Sequence, residues 1–358
     1  MLPREQLHKK LTNTLYTEDS FFLGIDGYID SLYRVVRKRT SIGEAELFST
    51  ISSFSERLAQ AAGKSSDTEL LLEDRRIGGN APVMAKALEC LNVPIVYAGL
   101  FDEETHQNSE MKNSKWYSLG KPCETIAFEF SDGKLMFGQT EQLRELGWKS
   151  IQEHMGLEVL CEELKAARFW GMLNWSAHLK LEEIIEEILK LNILEEEQLL
   201  RKWILFDISD PSTRETQDVC RFLSLIKRIN EKANVILGLN ENELMFLADC
   251  CGLQQPATLE EAAELLIQQI SVERITVHLR NRCFSVTKQQ TVSVPGIFVS
   301  NPRISTGGGD HFNAGYCAGL LWGLSEEMSL ALGNAVAAYY VTYGESPTQT
   351  KLQMFLST

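Results

Sequence analysis

Residues 304–315 read Ile304-Ser305-Thr306-Gly307-Gly308-Gly309-Asp310-His311-Phe312-Asn313-Ala314-Gly315. Three consecutive glycines let a backbone turn tightly and bring its N–H groups against a ligand with no Cβ in the way. The residues that follow, Phe312 to Leu324, predict a helix in which Ala314, Gly315, Ala318 and Gly319 permit close packing. A glycine turn that feeds a helix N-terminus favours anions, because unpaired N–H groups and the helix dipole both point at the ligand. Asp310 stands in the first turn, where a carboxylate is held ionised. A carboxylate beside an anion cradle is well suited to accept a hydroxyl proton while that oxygen attacks a phosphoryl group. As a purely structural feature, the segment is a glycine-rich turn with Asp310 as an N-cap.

Outward from this stretch, short apolar runs alternate with helical patterns. Candidate strands are Phe21–Ile25, Ile95–Ala98, Arg168–Leu173, Trp203–Asp207, Val235–Leu237 and Arg274–His278. Between them, Pro82–Leu91, Leu181–Leu191, Thr216–Asn230 and Leu259–Gln269 have helical spacing. Strand-then-helix repetition predicts a parallel sheet covered on both faces, with chemistry at the carboxyl ends of the strands. Two regions break the rhythm. Thr68–Arg75 looks extended, and Thr125–Phe130 with Lys134–Gly138 flanks Ser131-Asp132-Gly133, a hairpin signal. Strands outside the parallel sheet imply a small antiparallel lid, and Gly43–Ala62 reads as an extra helix beside it. The expectation is one α/β domain over residues 1–358, with lid elements from 31–76 and 121–140.

Other segments share the sheet edge. Asn240 and Glu243 follow a strand and open a helix three residues apart, so they share a face and can hold water around Mg²⁺. The same pair can equally form a capping box. Ile77-Gly78-Gly79-Asn80-Ala81-Pro82 enters a helix, and its N–H groups and the Asn80 amide can bond a polyol; without a ligand it is a tight turn with Pro82 in the first helical turn. Gly24-Ile25-Asp26-Gly27-Tyr28-Ile29-Asp30 leaves the first strand with two acids, of which Asp30 is the better candidate to bridge adjacent sugar hydroxyls.

The order Gly24…Asp30, Gly78-Gly79-Asn80, Asn240-x-x-Glu243, Thr306-Gly-Gly-Gly-Asp310 resembles the PfkB, or ribokinase-like, carbohydrate kinases over nearly the whole chain. The resemblance implies a three-layer α/β sandwich with a mostly parallel sheet and a small β lid. It implies phosphoryl transfer from a nucleotide, ATP with ADP as the alternative, to a sugar hydroxymethyl group. By resemblance Asp310 is the base and Gly307, Gly308 and Gly309 the anion hole. Asn240 and Glu243 serve Mg²⁺, Thr306 and Asn334 border the nucleotide, and Asp30, Gly79 and Asn80 bind the sugar.

Some positions depart from that pattern. Ile304 stands where relatives place an acid that helps bind a monovalent cation, and Val83 where an Asn is common. The turn beside the nucleotide, Thr276-Val277-His278-Leu279-Arg280-Asn281-Arg282, has no glycine, and Arg280 or Arg282 stands ready for phosphate or for solvent. These departures are similar to the ADP-dependent sugar kinases, which are longer. Two other readings stay open. A nucleoside kinase needs a slot for a base, which Tyr28, Phe137 or Trp175 can supply. A degenerate fold would bind a metabolite without phosphoryl transfer.

Composition narrows the rest. With 35 basic and 49 acidic residues the formal charge is −14, which repels nucleic acid and anionic membranes. The densest basic run, Arg34 with Arg37, Lys38 and Arg39, fits one amphipathic surface stretch. Eight cysteines without a C-x-x-C pair fit reduced thiols in a cytoplasmic protein. No stretch reaches the ~18 apolar residues of a spanning helix, and no signal-peptide core stands at the N-terminus. Small-molecule sugar and nucleotide are the expected partners. Pairing of lids across a homodimer is one arrangement the fold offers, which an inserted helix at 43–62 would oppose.

Overall fold

A computed structural model describes residues 3–102, 114–196, 200–253, 256–304 and 306–357. Its strands are β1 (Phe21–Gly24), β2 (Tyr28–Arg39), β3 (Ala45–Leu47), β4 (Leu70–Gly78), β5 (Ile95–Leu100), β6 (Ser114–Gly120) and β7 (Cys123–Phe130). They continue as β8 (Gly133–Gln139), β9 (Phe169–Met172), β10 (Trp203–Asp207), β11 (Asn234–Leu239), β12 (Arg274–His278), β13 (Arg282–Val286) and β14 (Thr291–Pro295). Nine form one sheet in the order β14-β13-β12-β11-β10-β9-β1-β5-β6. From β12 to β6 every neighbouring pair is parallel, and β13 and β14 add an antiparallel edge.

Strand alternation divides the interior in two. Ile204, Phe206, Val235 and Leu237 face one core, with the helices Leu181–Lys190, Thr216–Lys232 and Leu259–Ile270 packed on it. Leu205 and Ile236 face the other, covered by the helices Asn80–Cys90, Gly308–Leu321 and Glu326–Tyr343. Runs buried on both faces are what a covered parallel sheet requires. The result is the three-layer sandwich expected from the sequence.

The second sheet is made of β3, β2, β7 and β8, with β4 paired to β2. The hairpin forms around Ser131-Asp132-Gly133, with Phe130 opposite Gly133. Gly43–Ala62 is not one helix: Ala45–Leu47 pairs with β2, and the helix Ile51–Gln60 starts only where Thr50 caps the N–H of Ser53. That helix seats Phe54 against Phe48, Phe130 and Val35, a small core belonging to the lid. The basic run from Arg34 to Arg39 lies on β2, where Arg34, Arg37 and Arg39 pair with Glu73, Glu46 and Glu69.

The helix after the glycine turn begins at Gly308, four residues before its expected start, and ends at Leu321. Asp310 therefore sits inside the first turn. No helix among the described residues is long and apolar enough to cross a membrane.

Candidate active site

Because the central strands run parallel, their carboxyl ends meet along one edge. Asp26 follows β1, Asn174 follows β9, Asp207 ends β10, Asn240 follows β11 and His278 ends β12. The glycine turn and the lid close over this edge. All of these residues except Asp26, together with the turn and the lid, line a cleft of about 480 Å³, a volume typical of small-molecule sites.

Nearly every residue singled out in the sequence lies here: Asp30, Gly79, Asn80, Asn240, Glu243, Thr306, Gly307, Gly308, Gly309 and Asp310 all line the cleft. Gly307 has φ of +88°, a left-handed conformation that glycine adopts without strain, and it leaves the N-terminus of the helix open to the cleft. His311 fixes this turn from behind. Its Nδ1 lies 2.7 Å from the Gly307 carbonyl, its Nε2 lies 2.9 Å from the Ser346 hydroxyl, and its ring stacks on Tyr340 at 3.6 Å.

Asp310 is buried, and its carboxyl is held well above the usual carboxylate range. Burial is the main cause, and the Asp207 and Asp26 carboxylates add to it, while a hydrogen bond with Asn80 pulls the other way. Asp207 and Glu243 are pushed up as well, each by burial first; Asp207 is the next largest influence on Glu243. Buried carboxylates facing one another cannot all ionise without a compensating positive charge. Among the described residues lining the cleft, Arg76 is the single Arg or Lys.

Asn240 and Glu243 do form the capping box that the sequence permits. Glu243 Oε2 accepts from the Asn240 N–H at 2.9 Å, and Asn240 Oδ1 accepts from the Glu243 N–H at 3.0 Å. Asn240 Nδ2 also donates to Glu243 Oε1 at 2.7 Å, so the pair presents a braced carboxylate to the cleft. The structural and functional readings coexist. Among the described residues no three His, Cys, Asp or Glu converge closely enough to bind a metal directly. A cation here would be held through water, which suits Mg²⁺.

Asp30 stands on β2 beside Thr125, Arg76 and Lys134; burial raises its carboxyl, and these three neighbours oppose the rise. Asp26 faces the other way. It is buried and accepts the N–H groups of Asn80 and Ala81 at 2.9 Å each and the Asn174 amide at 2.8 Å. It thus caps the helix Asn80–Cys90 from outside its own segment, and Asn80 Oδ1 accepts from the Ser209 hydroxyl at 3.2 Å.

Several expectations land elsewhere. Asn334 does not line the cleft: its amide donates to Cys283 Sγ and to the Pro295 carbonyl, because its helix packs on β13 and β14. Trp175 is buried against Phe222 under Arg214, and Phe137 lies beside Phe128 outside the cleft lining, so only Tyr28 of the three aromatic candidates lines it. Arg282 pairs with Glu260. Asn174, Asp207, Ser209, Arg76 and Tyr340 line the cleft without having been singled out. Asn174 and Asp207 were readable as polar residues at strand ends, whereas Tyr340 carries no local signal.

A family model for prokaryotic ketohexokinase matches residues 4–358. The chain belongs to the prokaryotic ketohexokinase family. Membership makes it a sugar kinase, a phosphotransferase whose acceptor is a sugar hydroxyl. A ketohexokinase from Haloferax volcanii is 28% identical over 341 residues, spanning 93% of this chain and 90% of that one. Among solved structures, the ribokinase of Thermotoga maritima is similar with a TM-score of 0.61 at 17% identity, covering 95% of this chain and 99% of its own. A phosphofructokinase-2 variant from Escherichia coli gives 0.63 at 14% identity, with coverages of 95% and 99%. The adenosine kinase of Sinorhizobium meliloti gives 0.62 at 16% identity, with coverages of 96% and 99%. These three likenesses speak for the ribokinase fold alone.

Proposed function

We propose that the protein transfers the terminal phosphoryl group of ATP to a hydroxymethyl group of a ketohexose, with Asp310 as general base. The observation that carries this reading is the placement of Asp310. It follows a left-handed glycine turn, hydrogen-bonds with Asn80 and shares one cleft with the lid acid Asp30. A base, an anion cradle and a polyol ligand set are thereby juxtaposed.

In this mechanism Asp30 and Asn80 hold sugar hydroxyls and orient the hydroxymethyl oxygen towards Gly307–Gly309. Asp310 takes that hydroxyl's proton as the new O–P bond forms. The bond to the β-phosphate oxygen breaks, and ADP leaves. N–H groups of Gly307 to Gly309 meet the charge on the phosphoryl oxygens, a preorganised contribution of the oxyanion-hole kind. Asn240 and Glu243 would hold Mg²⁺ through water, and the ion supplies the positive charge that the facing carboxylates and the nucleotide phosphates both call for. Thr306 borders the nucleotide. We place the reaction in the cytoplasm, where ATP is abundant.

The test is phosphate transfer from MgATP, and separately MgADP, to a panel of ketohexoses, aldohexoses, pentoses and adenosine, with Asp310→Asn in parallel. Transfer from ATP to a ketohexose, reduced at least about a thousandfold in the variant while folding is retained, is the expected result. Transfer to adenosine alone would replace this reading with a nucleoside kinase. Use of ADP alone would change the donor. Full activity in Asp310→Asn would remove the base.

A further inference from the structure

His278 is the feature of the cleft that the proposed mechanism leaves unused. It ends β12 at the carboxyl edge of the sheet, and the turn that follows, Leu279-Arg280-Asn281, contains no glycine. Its ring lines the cleft and lies 5.3 Å from the Phe312 ring, between the sheet and the helix that carries Asp310. A Cβ placed on Gly309 would stand 3.0 Å from His278 Nε2 and 3.3 Å from its Cε1. That distance is tighter than ordinary side-chain contacts allow, so the third glycine of the turn is the residue that admits this imidazole.

The two ring nitrogens differ in surroundings. Nδ1 is sealed from solvent and has no hydrogen-bond partner among the described residues. Nε2 is the ring nitrogen that reaches the glycine turn. A buried N–H donor without an acceptor costs more than a buried lone pair without a donor, so the proton belongs on Nε2. Burial also pushes the imidazole down to about 4, which keeps the ring neutral at physiological pH. A neutral ring offers a hydrogen bond without adding charge beside Arg76, to which Mg²⁺ would add its own charge when bound.

From this geometry we infer that His278 is a ligand of the transferring phosphoryl group, donating Nε2–H to an oxygen held at the Gly307–Gly309 turn. The inference rests on the kinase reading given above and deepens it, by adding a side-chain donor to the backbone cradle. No bond is made or broken at the imidazole, and its proton stays on Nε2 throughout.

The experiment compares His278→Ala, His278→Asn and His278→Gln in the full-length protein, using MgATP and the sugar that the acceptor panel selects. Glutamine can place a side-chain N–H near the Nε2 position, whereas asparagine reaches only as far as Nδ1. The expected result is a loss of about ten- to a hundredfold in kcat/KM for MgATP in the Ala and Asn variants. Recovery to within about threefold is expected in the Gln variant, with the sugar KM and the thermal midpoint little changed in all three. Wild-type kinetics in His278→Ala would overturn the inference. So would equal losses in all three variants accompanied by a lower melting temperature, which would mark a packing role. Wild-type turnover and its loss in Asp310→Asn are measured alongside. Failure of the kinase reading would therefore show in those controls, and failure of the His278 inference only in the three variants.

Discussion

Asp26 Oδ2 accepts the backbone N–H of Asn80 at 2.9 Å, so the first-strand loop holds the Gly79–Asn80 turn in place. The carboxylate also serves Ala81 and Asn174, three donors in all on a side chain with no basic partner among the described residues. An asparagine at this position offers one acceptor oxygen, so at least one donor would face another N–H. Asp26→Asn is expected to lower stability by about 1–3 kcal/mol and to raise the sugar KM more than it lowers kcat. Thermal unfolding and steady-state kinetics check this together. A variant with wild-type melting temperature and sugar KM would show that Asp26 does not position Asn80.

The roles of Asp26 and Asp30 also mark how far the sequence could be read. Both acids stand out in Gly24-Ile25-Asp26-Gly27-Tyr28-Ile29-Asp30, and the strand-end rule brings both to the sheet edge. Which of them caps a helix and which faces the ligand depends on where Asn80 and Asn174 arrive, from segments 54 and 148 residues away. The parallel core was legible because strands such as Trp203–Asp207 are apolar runs bounded by helical spacing. The antiparallel edge, Arg282–Val286 with Thr291–Pro295, was not, because its short strands lack a glycine or proline turn between them. Tyr340 escaped notice for a different reason: it is one of three tyrosines in an apolar helix, and its place beside the cleft, stacked on His311, comes only with the tertiary packing.

Substitution can separate the capping role of Asn240 from the Mg²⁺ role proposed for it. Serine caps helices about as well as asparagine, so Asn240→Ser should keep the helix Glu241–Cys250 and change the melting temperature little. It removes the amide that braces Glu243 Oε1. The expected outcome is a several-fold higher Mg²⁺ requirement at unchanged stability, read from activity titrated against free Mg²⁺. If stability fell and the Mg²⁺ requirement stayed put, the pair would be a capping box and nothing more.

The crowded carboxylates also predict how stability changes with pH. A carboxyl whose folded value is raised holds its proton more tightly in the folded protein, so stability is lost as pH rises from the ordinary carboxylate value through the folded one. For Glu243 that window runs up to about 8. The buried His178 and His311 and the half-buried His278 act oppositely, each pushed down to about 4, but their effect is complete above the ordinary histidine value of about 6.5. Between pH 6.5 and 8 the carboxylates therefore dominate. The melting temperature of the ligand-free protein should fall across that interval, and Mg²⁺ should raise it more at pH 8 than at 6.5. Glu243→Gln should flatten the slope; a slope unchanged in this variant would place the proton elsewhere.

The same electrostatics set the acid limb of activity. As the proposed base, Asp310 has to be ionised to accept the sugar proton, and its raised pKa places the limb of kcat/KM above the ordinary carboxylate value of about 4. Asp207 is the largest charged contributor to that rise. Asp207→Asn removes a like charge, which lowers the pKa of Asp310 and moves the limb towards lower pH, by about one unit for a neighbouring buried charge. The variant is expected to lose rate at neutral pH as well, because Asp207 lines the cleft, but the position of the limb is independent of its height. A pH series of kcat/KM for both proteins decides the matter. A limb that stayed in place, or moved to higher pH, would mean that the titrating base is not the carboxylate beside Asp207.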